Sequence, residues 1–132
     1  MKPVTAGMRL IHKNLMHLGI MQQTELLKGT LQTIILKLLA DNKRMYGYEI
    51  TQKVKELSGG SVQLTEGALY PTLHKLESEG LLKTETVPLG KRVRKYYKLT
   101  VTGQSSVKVK ISEFTQFIQI MSRVLKLDPL IS

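Results

Sequence analysis

The sequence predicts a mainly α fold with a small β-hairpin, and three patterns along the chain support this prediction. Apolar residues recur at three- and four-residue steps in three successive segments between residues 25 and 80. Two short segments of alternating polarity follow, on either side of a turn signal. A last segment, from about residue 100 to residue 127, again repeats apolar residues at helical spacing. The predicted order is therefore three helices, a hairpin and a long C-terminal helix.

The first two helices are predicted from apolar stripes and from the residues that end them. The first lies in TELLKGTLQTIILKLLADNKRM and should end within ADNKR, where the apolar steps stop. Its predicted buried stripe is Leu27, Leu31, Ile34, Ile35, Leu38 and Leu39. The second fits YGYEITQKVKELSGG, in which Ile50, Val54 and Leu57 share one face. Gly59 and Gly60 should terminate it, because glycine readily adopts the left-handed conformation that ends helices.

The third helix is predicted in LTEGALYPTLHKLESEGLL. Thr65 is a suitable N-cap, because its hydroxyl can accept a hydrogen bond from a backbone N–H of the first turn. The predicted buried face is Leu69, Leu73 and Leu76. Gly80 should close the helix. Pro71 conflicts with the pattern, because its ring would clash with the carbonyl of residue 67, so we expect a late helix start, a local bend, or both.

The hairpin is predicted from LLKTETV and VRKYYKL, which flank a turn containing Pro88 and Gly90. Alternation gives the second strand two sides, with Val93, Lys95, Tyr97 and Leu99 on one and Arg94, Tyr96 and Lys98 on the other. Tyr97 and Leu99 should pack against the helices and hold the strand in place. The surrounding stretch GKRVRKYYKLT contains five Lys or Arg residues and no acidic residue.

The last helix is expected to start near Thr100 and to end near Leu127, before Asp128 and Pro129. Apolar residues at 4-3-4-3-4 spacing form a heptad seam of Val107, Ile111, Phe114, Ile118, Met121 and Leu125. A second stripe beside it consists of Phe117, Ile120, Val124 and Leu127. Two stripes exceed what one small domain covers, so we predict a homodimer with the seam at its interface. The alternative is a helix that covers only its own core.

A formal net charge of +10 and an isoelectric point near 9.9 indicate a polyanionic partner, either nucleic acid or an anionic membrane surface. No apolar run approaches the roughly 18–20 residues that span a bilayer, and no continuous signal-peptide core is present, so we expect a cytoplasmic protein without a membrane partner. The chain has no cysteine and no assembly of paired acids or nucleophile and base. We therefore predict no enzyme activity, no metal and no cofactor.

Three helices followed by a hairpin is the order of a winged helix-turn-helix. The full predicted fold is thus a winged helix-turn-helix plus a long C-terminal dimerisation helix, with the third helix in the major groove of DNA. The hairpin is the wing, and its Lys91, Arg92, Arg94 and Lys95 suit phosphate or minor-groove contacts. The alternative is that these residues bind no ligand. They would then be solvated charges at the edge of the sheet, which prevent the edge strand from pairing with other chains.

The exposed side of the third helix provides the other candidate DNA-binding residues, which are Thr65, Glu66, Tyr70, Thr72, His74 and Lys75. Tyr70 and Lys75 suit phosphate contacts. His74 is either a contact to a base edge or a bystander. Glu66 is either a partner of the helix dipole or an acceptor for cytosine. The predicted partner is double-stranded DNA with a palindromic operator, because a two-fold dimer matches two half-sites.

The sequence divides into three predicted regions. Residues 1–20 form an N-terminal extension, which is either a short amphipathic helix or the result of a misassigned start upstream of Met21. Residues 21–103 form the winged helix-turn-helix domain, and residues 104–132 form the C-terminal dimerisation helix.

Four segments together resemble the PadR family of bacterial transcriptional repressors: LLKGTLQTIILKLL, YGYEI, LTEGALYPTLHKLESEGLL and GKRVRKYYKLTVTG. The resemblance is close over residues 25–103, and the family's proline in the recognition helix corresponds to Pro71. It implies a homodimeric repressor of its own or a neighbouring operon, in the branch with a single C-terminal helix. Some small members bind flat aromatic or amphipathic compounds at the dimer interface, which implies a ligand site at Phe114 with Phe117. Phe114 also fits a simple core position.

The alternative function is a winged-helix module that binds protein without a specific operator. Such a module has little need of the basic stretch KRVRK, and a membrane-binding protein would place its charge opposite an apolar helix face. A steep fall of duplex binding with rising salt discriminates DNA binding from both.

Overall fold

The computed structural model describes residues 25–127, so the predicted extension of residues 1–20 and the predicted stop at Asp128 and Pro129 lie outside the described residues. The elements in chain order are α1 Glu25–Asp41, β1 Met45–Tyr46, α2 Gly47–Leu57, α3 Glu66–Ser78, β2 Leu82–Leu89, β3 Arg92–Leu99 and α4 Val101–Leu125. The predicted order of three helices, a hairpin and a long helix is confirmed, with β1 as an addition. Within this range, no helix is long and apolar enough to cross a membrane.

The core is built mainly by the first three helices and β3, with further buried residues from β1, β2 and the start of α4. Its largest fully buried side chains are Ile35, Leu36, Ile50, Leu69, Leu73, Leu76 and Tyr97. The predicted stripe of α1 is confirmed, with Ile34 packed at the edge of the core and Leu36 as a further buried residue. Burying each of the Ile and Leu side chains contributes roughly 1.5–3 kcal/mol relative to leaving it exposed, so the shared core stabilises the elements that form it.

The third helix begins at its predicted cap. Thr65 Oγ1 accepts a hydrogen bond from the Ala68 N–H at 3.2 Å, and α3 starts at the next residue, Glu66. The expectation of a late start is therefore wrong, because the cap begins the helix well before the ring of Pro71. Pro71 has no N–H to donate to the carbonyl group of Gly67, one turn earlier. Both residues lie on the exposed side of α3, where solvent can hydrate this carbonyl group. Gly80 closes the helix at φ 78°, as predicted.

The predicted buried face of α2 is confirmed at Ile50 and Val54 and wrong at Leu57, whose side chain is 68% exposed. Leu57 is the last residue of the helix, and the chain turns directly after it through Gly59 and Gly60, both with positive φ. The termination by glycine is confirmed. Because the helix stops there, Leu57 projects beyond the core that covers the preceding turns.

β3 is the central strand of a three-stranded antiparallel sheet with the order β1–β3–β2. Met45 of β1 pairs with Tyr97, and the sequence does not predict β1 because two residues show no alternation. Gly90, at φ 61°, and Lys91 form the hairpin turn. Pro88 was predicted in the turn but lies within β2, where it occupies a position without ladder hydrogen bonds on an edge strand.

The N-terminal end of α4 is fixed to the rest of the domain by two close contacts. Thr100 Oγ1 accepts a hydrogen bond from the Gly103 N–H at 3.0 Å and donates one to the Gly80 carbonyl at 2.6 Å. Gly103 is buried against the Leu81 carbonyl, and an added Cβ would overlap that oxygen. One threonine therefore caps α4 and joins it to the end of α3, while a glycine allows the close approach.

Two expectations for α4 are corrected by the structure. The helix ends at Leu125, earlier than predicted, because Lys126 turns the chain in the left-handed conformation at φ 53°. Val107 was predicted at the interface between two copies, but it is 6% exposed and lies in the core of its own chain, with Ile111 at the edge of that core. The reason is that α4 packs against α1, so its first turns belong to the domain itself.

Candidate nucleic-acid interface

The two faces of α3 have opposite character. Leu69, Leu73 and Leu76 are 0% exposed, which fixes the rotation of the helix about its axis. The exposed residues of the helix are Glu66, Gly67, Pro71, His74, Lys75 and Ser78. Of the predicted contact residues, Glu66, His74 and Lys75 are therefore open to a ligand that approaches this helix.

The two threonines among the predicted contacts are half-buried, and both hydroxyl groups bond within the helix. Thr65 Oγ1 caps α3, and Thr72 Oγ1 donates to the Ala68 carbonyl at 3.1 Å. A capping threonine typically contributes about 1 kcal/mol to stability. These structural roles account for both residue types without any contact to a ligand.

Tyr70 is half-buried at the junction of α2 and α3. The hydroxyl end of its ring lies against Gly47, the first residue of α2, where an added Cβ would overlap the tyrosine. The ring centre lies 6.4 Å from that of His74, at an angle of 43°. Gly47 therefore provides the space that Tyr70 occupies. The glycine of YGYEI is the sequence signal from which this contact could be predicted.

The basic residues of the wing take different positions along β3. Lys91 and Arg92 lie at the tip and are exposed. Lys95 is also exposed, and its Nζ lies 5.4 Å from the centre of the buried Tyr97 ring. Arg94 lies on the side of the strand opposite to Lys95, as alternation predicts. Within residues 25–127, no acidic side chain forms an ion pair with any of these four cations.

Glu85 forms an ion pair with the remaining basic residue of the strand, Lys98. It accepts hydrogen bonds from Lys98 Nζ at 3.0 Å and from Arg44 Nη1. The hydrogen bond and the charge of Lys98, with a smaller contribution from Arg44, hold the pKa of the Glu85 carboxyl below its ordinary value. The carboxylate is therefore ionised throughout the neutral range and is shared between Lys98 and Arg44, so Lys98 differs from the other four wing cations in having an acidic partner.

Arg94 belongs to a tyrosine–arginine stack that the sequence analysis did not predict. Its Cζ lies 4.0 Å from the centre of the Tyr46 ring, and its Nη1 donates to the Tyr96 hydroxyl at 3.5 Å. The rings of Tyr46 and Tyr96 meet edge to face at 5.6 Å, and Arg44 Cζ lies 4.1 Å from the Tyr96 ring. Tyr48, exposed at the start of α2, stacks on Tyr46. Cation–π contacts thus hold two guanidinium groups at the junction of β1, β3 and α2.

The later turns of α4 present an apolar surface in the single chain. The second stripe is 43–64% exposed and consists of Phe117, Ile120, Val124 and Leu127. Of the predicted seam, Phe114, Ile118 and Met121 are half-buried and Leu125 is exposed. An open groove of about 380 Å³ lies between α1 and α4 and is lined by Phe114 and Phe117 together with Leu26 and Gly29. The two predicted ligand residues therefore lie in one groove.

Several known proteins with similar sequences or structures are regulators of transcription. The transcriptional regulator PadR-like family matches this chain over residues 35–109. The transcriptional regulator Rv3488 of Mycobacterium tuberculosis is 36% identical over 83 residues, which are 63% of this chain and 74% of that protein. A solved transcriptional regulator of Clostridium thermocellum has a TM-score of 0.71 and 27% identity, covering 76% of this chain and 97% of its own. A PadR family transcriptional regulator of Eggerthella lenta has a TM-score of 0.67 and 25% identity, covering 94% of this chain and 99% of its own.

The two faces of α3 should respond differently to truncation. Leu73→Ala should lower the free energy of unfolding by about 2–5 kcal/mol, because it leaves a cavity in a packed core. His74→Ala, one residue further along on the exposed side, should change it by less than about 0.5 kcal/mol. Urea unfolding of both variants measures the difference. Equal losses of stability would mean that α3 is rotated about its axis, so that Leu73 and His74 are equally buried.

Proposed function

The chain belongs to the transcriptional regulator PadR-like family, and from this premise we propose that it is a homodimeric repressor of its own or a neighbouring operon. Family and fold together make it a DNA-binding transcriptional regulator and not an enzyme. The observation that supports specific binding most strongly is the pairing of a helix exposed on one side only with a neighbouring wing that has four uncompensated cations.

In the proposed complex, α3 lies in the major groove. His74 contacts a base edge, Lys75 and Tyr70 contact phosphates, and Glu66 interacts mainly with the positive end of the helix dipole. The wing cations hold the backbone beside the recognition helix, where position matters more than base sequence. Residues 21–103 are then the DNA-binding domain.

Members of the family bind DNA, typically as dimers. The exposed second stripe of α4 supports the same assembly for this chain. Residues 104–132 are then the dimerisation region, which includes most of α4, and the two-fold symmetry of the dimer matches a palindromic operator. Release by a small aromatic or amphipathic compound stays a prediction of the family resemblance. The groove at Phe114 and Phe117 is where such a compound would bind, and dissociation of the DNA complex on its addition would test the idea.

Selection from a random duplex library tests the sequence-specific part of the proposal. The wild type should enrich a palindrome whose half-sites lie about one helical turn, roughly 10–10.5 base pairs, or a multiple of it apart. His74→Ala should relax one position in each half-site and lose about 1–3 kcal/mol for the preferred duplex. An unenriched wild-type pool would favour the protein-binding alternative. An unchanged consensus in His74→Ala would make His74 a bystander.

The wing should contribute affinity that depends on salt and not on sequence. Removing the exposed tip charges in a Lys91→Ala, Arg92→Ala variant should flatten the slope of log K against log[salt] by about 0.9 per lost phosphate contact. The matched control is Lys37→Ala with Lys108→Ala, which removes two exposed charges from α1 and α4. Fluorescence anisotropy with specific and random duplexes gives both slopes. Equal slopes for the tip variant and the control would refute a phosphate contact by the tip.

The proposed dimer should depend on the exposed second stripe of α4. Phe117→Asp combined with Val124→Asp should give folded monomers, because both side chains are exposed in the single chain but would carry unpaired charges in a buried interface. Ser112→Asp combined with Gln119→Asp is the control, with the same spacing and added charge at exposed positions off the stripe. Light scattering measures the mass of each variant. A dimeric Phe117/Val124 variant would place the interface elsewhere.

A further inference from the structure

A cleft of about 460 Å³ lies between α1 and the recognition helix α3. From α1 it is lined by Lys28, Leu31 and Gln32, and from α3 by Gly67, Ala68, Pro71, Thr72 and Lys75. The α3 residues that line it include exposed positions of that helix, so the cleft opens beside the face proposed to enter the major groove. None of the interactions assigned above to α3 or the wing uses Lys28 or Gln32.

The cleft brings together two cations from different helices. Lys28 has one acidic neighbour, Glu25, at 3.5 Å, and both side chains of this pair are more than half exposed. Such a surface pair contributes little and leaves most of the charge available. Lys75 forms no ion pair with any residue in the described range 25–127. The cleft also contains the amide of Gln32 and no acidic lining residue, so its chemistry favours an anion with several acceptor oxygens.

The position of the cleft relative to DNA follows from helix geometry. Residues two apart in an α-helix differ by about 200° around the axis, so Tyr70 and Thr72 lie on opposite flanks of α3. Tyr70 contacts α2 at Gly47, and Thr72 lines the cleft towards α1. A helix with its side chains is about 10–12 Å wide and fills a major groove about 12 Å wide, so both flanks run along a phosphate ridge.

The geometry points to a second phosphate-binding site: the α1–α3 cleft binds one phosphodiester group of the DNA backbone, with Lys28 and Lys75 as cationic contacts and Gln32 as a neutral donor. This inference rests on the proposed function. It adds a contact from α1 on the flank of the recognition helix opposite to α2. With backbone contacts on both flanks, the depth and register of α3 in the groove are fixed independently of its base contacts.

Lys28→Ala tests the site, with Lys37→Ala as the matched control on the same helix, since both remove one exposed lysine that pairs with a nearby acid. Lys28→Ala should flatten the salt slope of duplex binding by about 0.9 relative to the control. Gln32→Ala should weaken binding several-fold without changing the slope, because it removes a donor and no charge. Equal slopes for Lys28→Ala and Lys37→Ala, with the wild type still binding duplex DNA, would overturn this inference alone.

Methylphosphonate substitution locates the contacted phosphate. Neutralising each phosphate of the selected duplex in turn should reveal positions where the wild type loses affinity. At one such position in each half-site, neutralising the phosphate should not weaken the binding of Lys28→Ala any further. At the same position, it should still weaken the binding of the Lys91→Ala, Arg92→Ala variant.

A titration with inorganic phosphate is the second experiment. If Lys28→Ala changed phosphate binding but no methylphosphonate position, the cleft would bind a free anion and the inference would be wrong. A wild type that binds no duplex would overturn the proposed function itself.

Discussion

The complete burial of one face of α3 is the constraint on which the rest of the structure depends. Because Leu69, Leu73 and Leu76 have no exposed surface, the helix has one rotation about its axis that leaves no cavity. That rotation places Tyr70 against α2 and opens the opposite flank to α1. The exposed face between the flanks is a consequence of core packing, and its residues are free to serve binding because they contribute little to stability.

The wing is positioned by the same principle. Tyr97 is 1% exposed and holds β3 in the core, and its burial raises the pKa of the phenol, so the buried side chain stays neutral. Strand alternation then directs Arg94 and Tyr96 to the other side, where Tyr46 provides an aromatic surface for the guanidinium. The burial of Tyr97 therefore determines which basic side chains of β3 lie on the same side of the strand. On the side of Arg94, Lys98 is paired with Glu85.

Periodicity in the sequence was sufficient to predict the features that depend on residues close together in the chain. The three leucines of α3 and the Thr65 cap are predicted by local spacing, and both are present. The packing of Tyr97 and Leu99 against the helices was also predicted and is confirmed, but other features that depend on distant partners were missed. The stack of Tyr46 on Arg94 joins residues far apart in the chain, and Val107 looked like an interface residue because spacing does not say which surface covers an apolar side chain. The α1–α3 cleft likewise requires two helices whose separation no sequence pattern contains.

In the proposed complex, core packing presents the exposed face of α3 to the major groove, with backbone contacts on both flanks. Chemical footprinting of the selected duplex tests it most directly, using dimethyl sulfate for guanine N7 in the major groove and hydroxyl radicals for the backbone. Two major-groove protections are expected about one helical turn or a multiple of it apart, each bordered on both sides by protected backbone. Backbone protection without any protection of guanine N7, at a duplex with guanines in both half-sites, would contradict it.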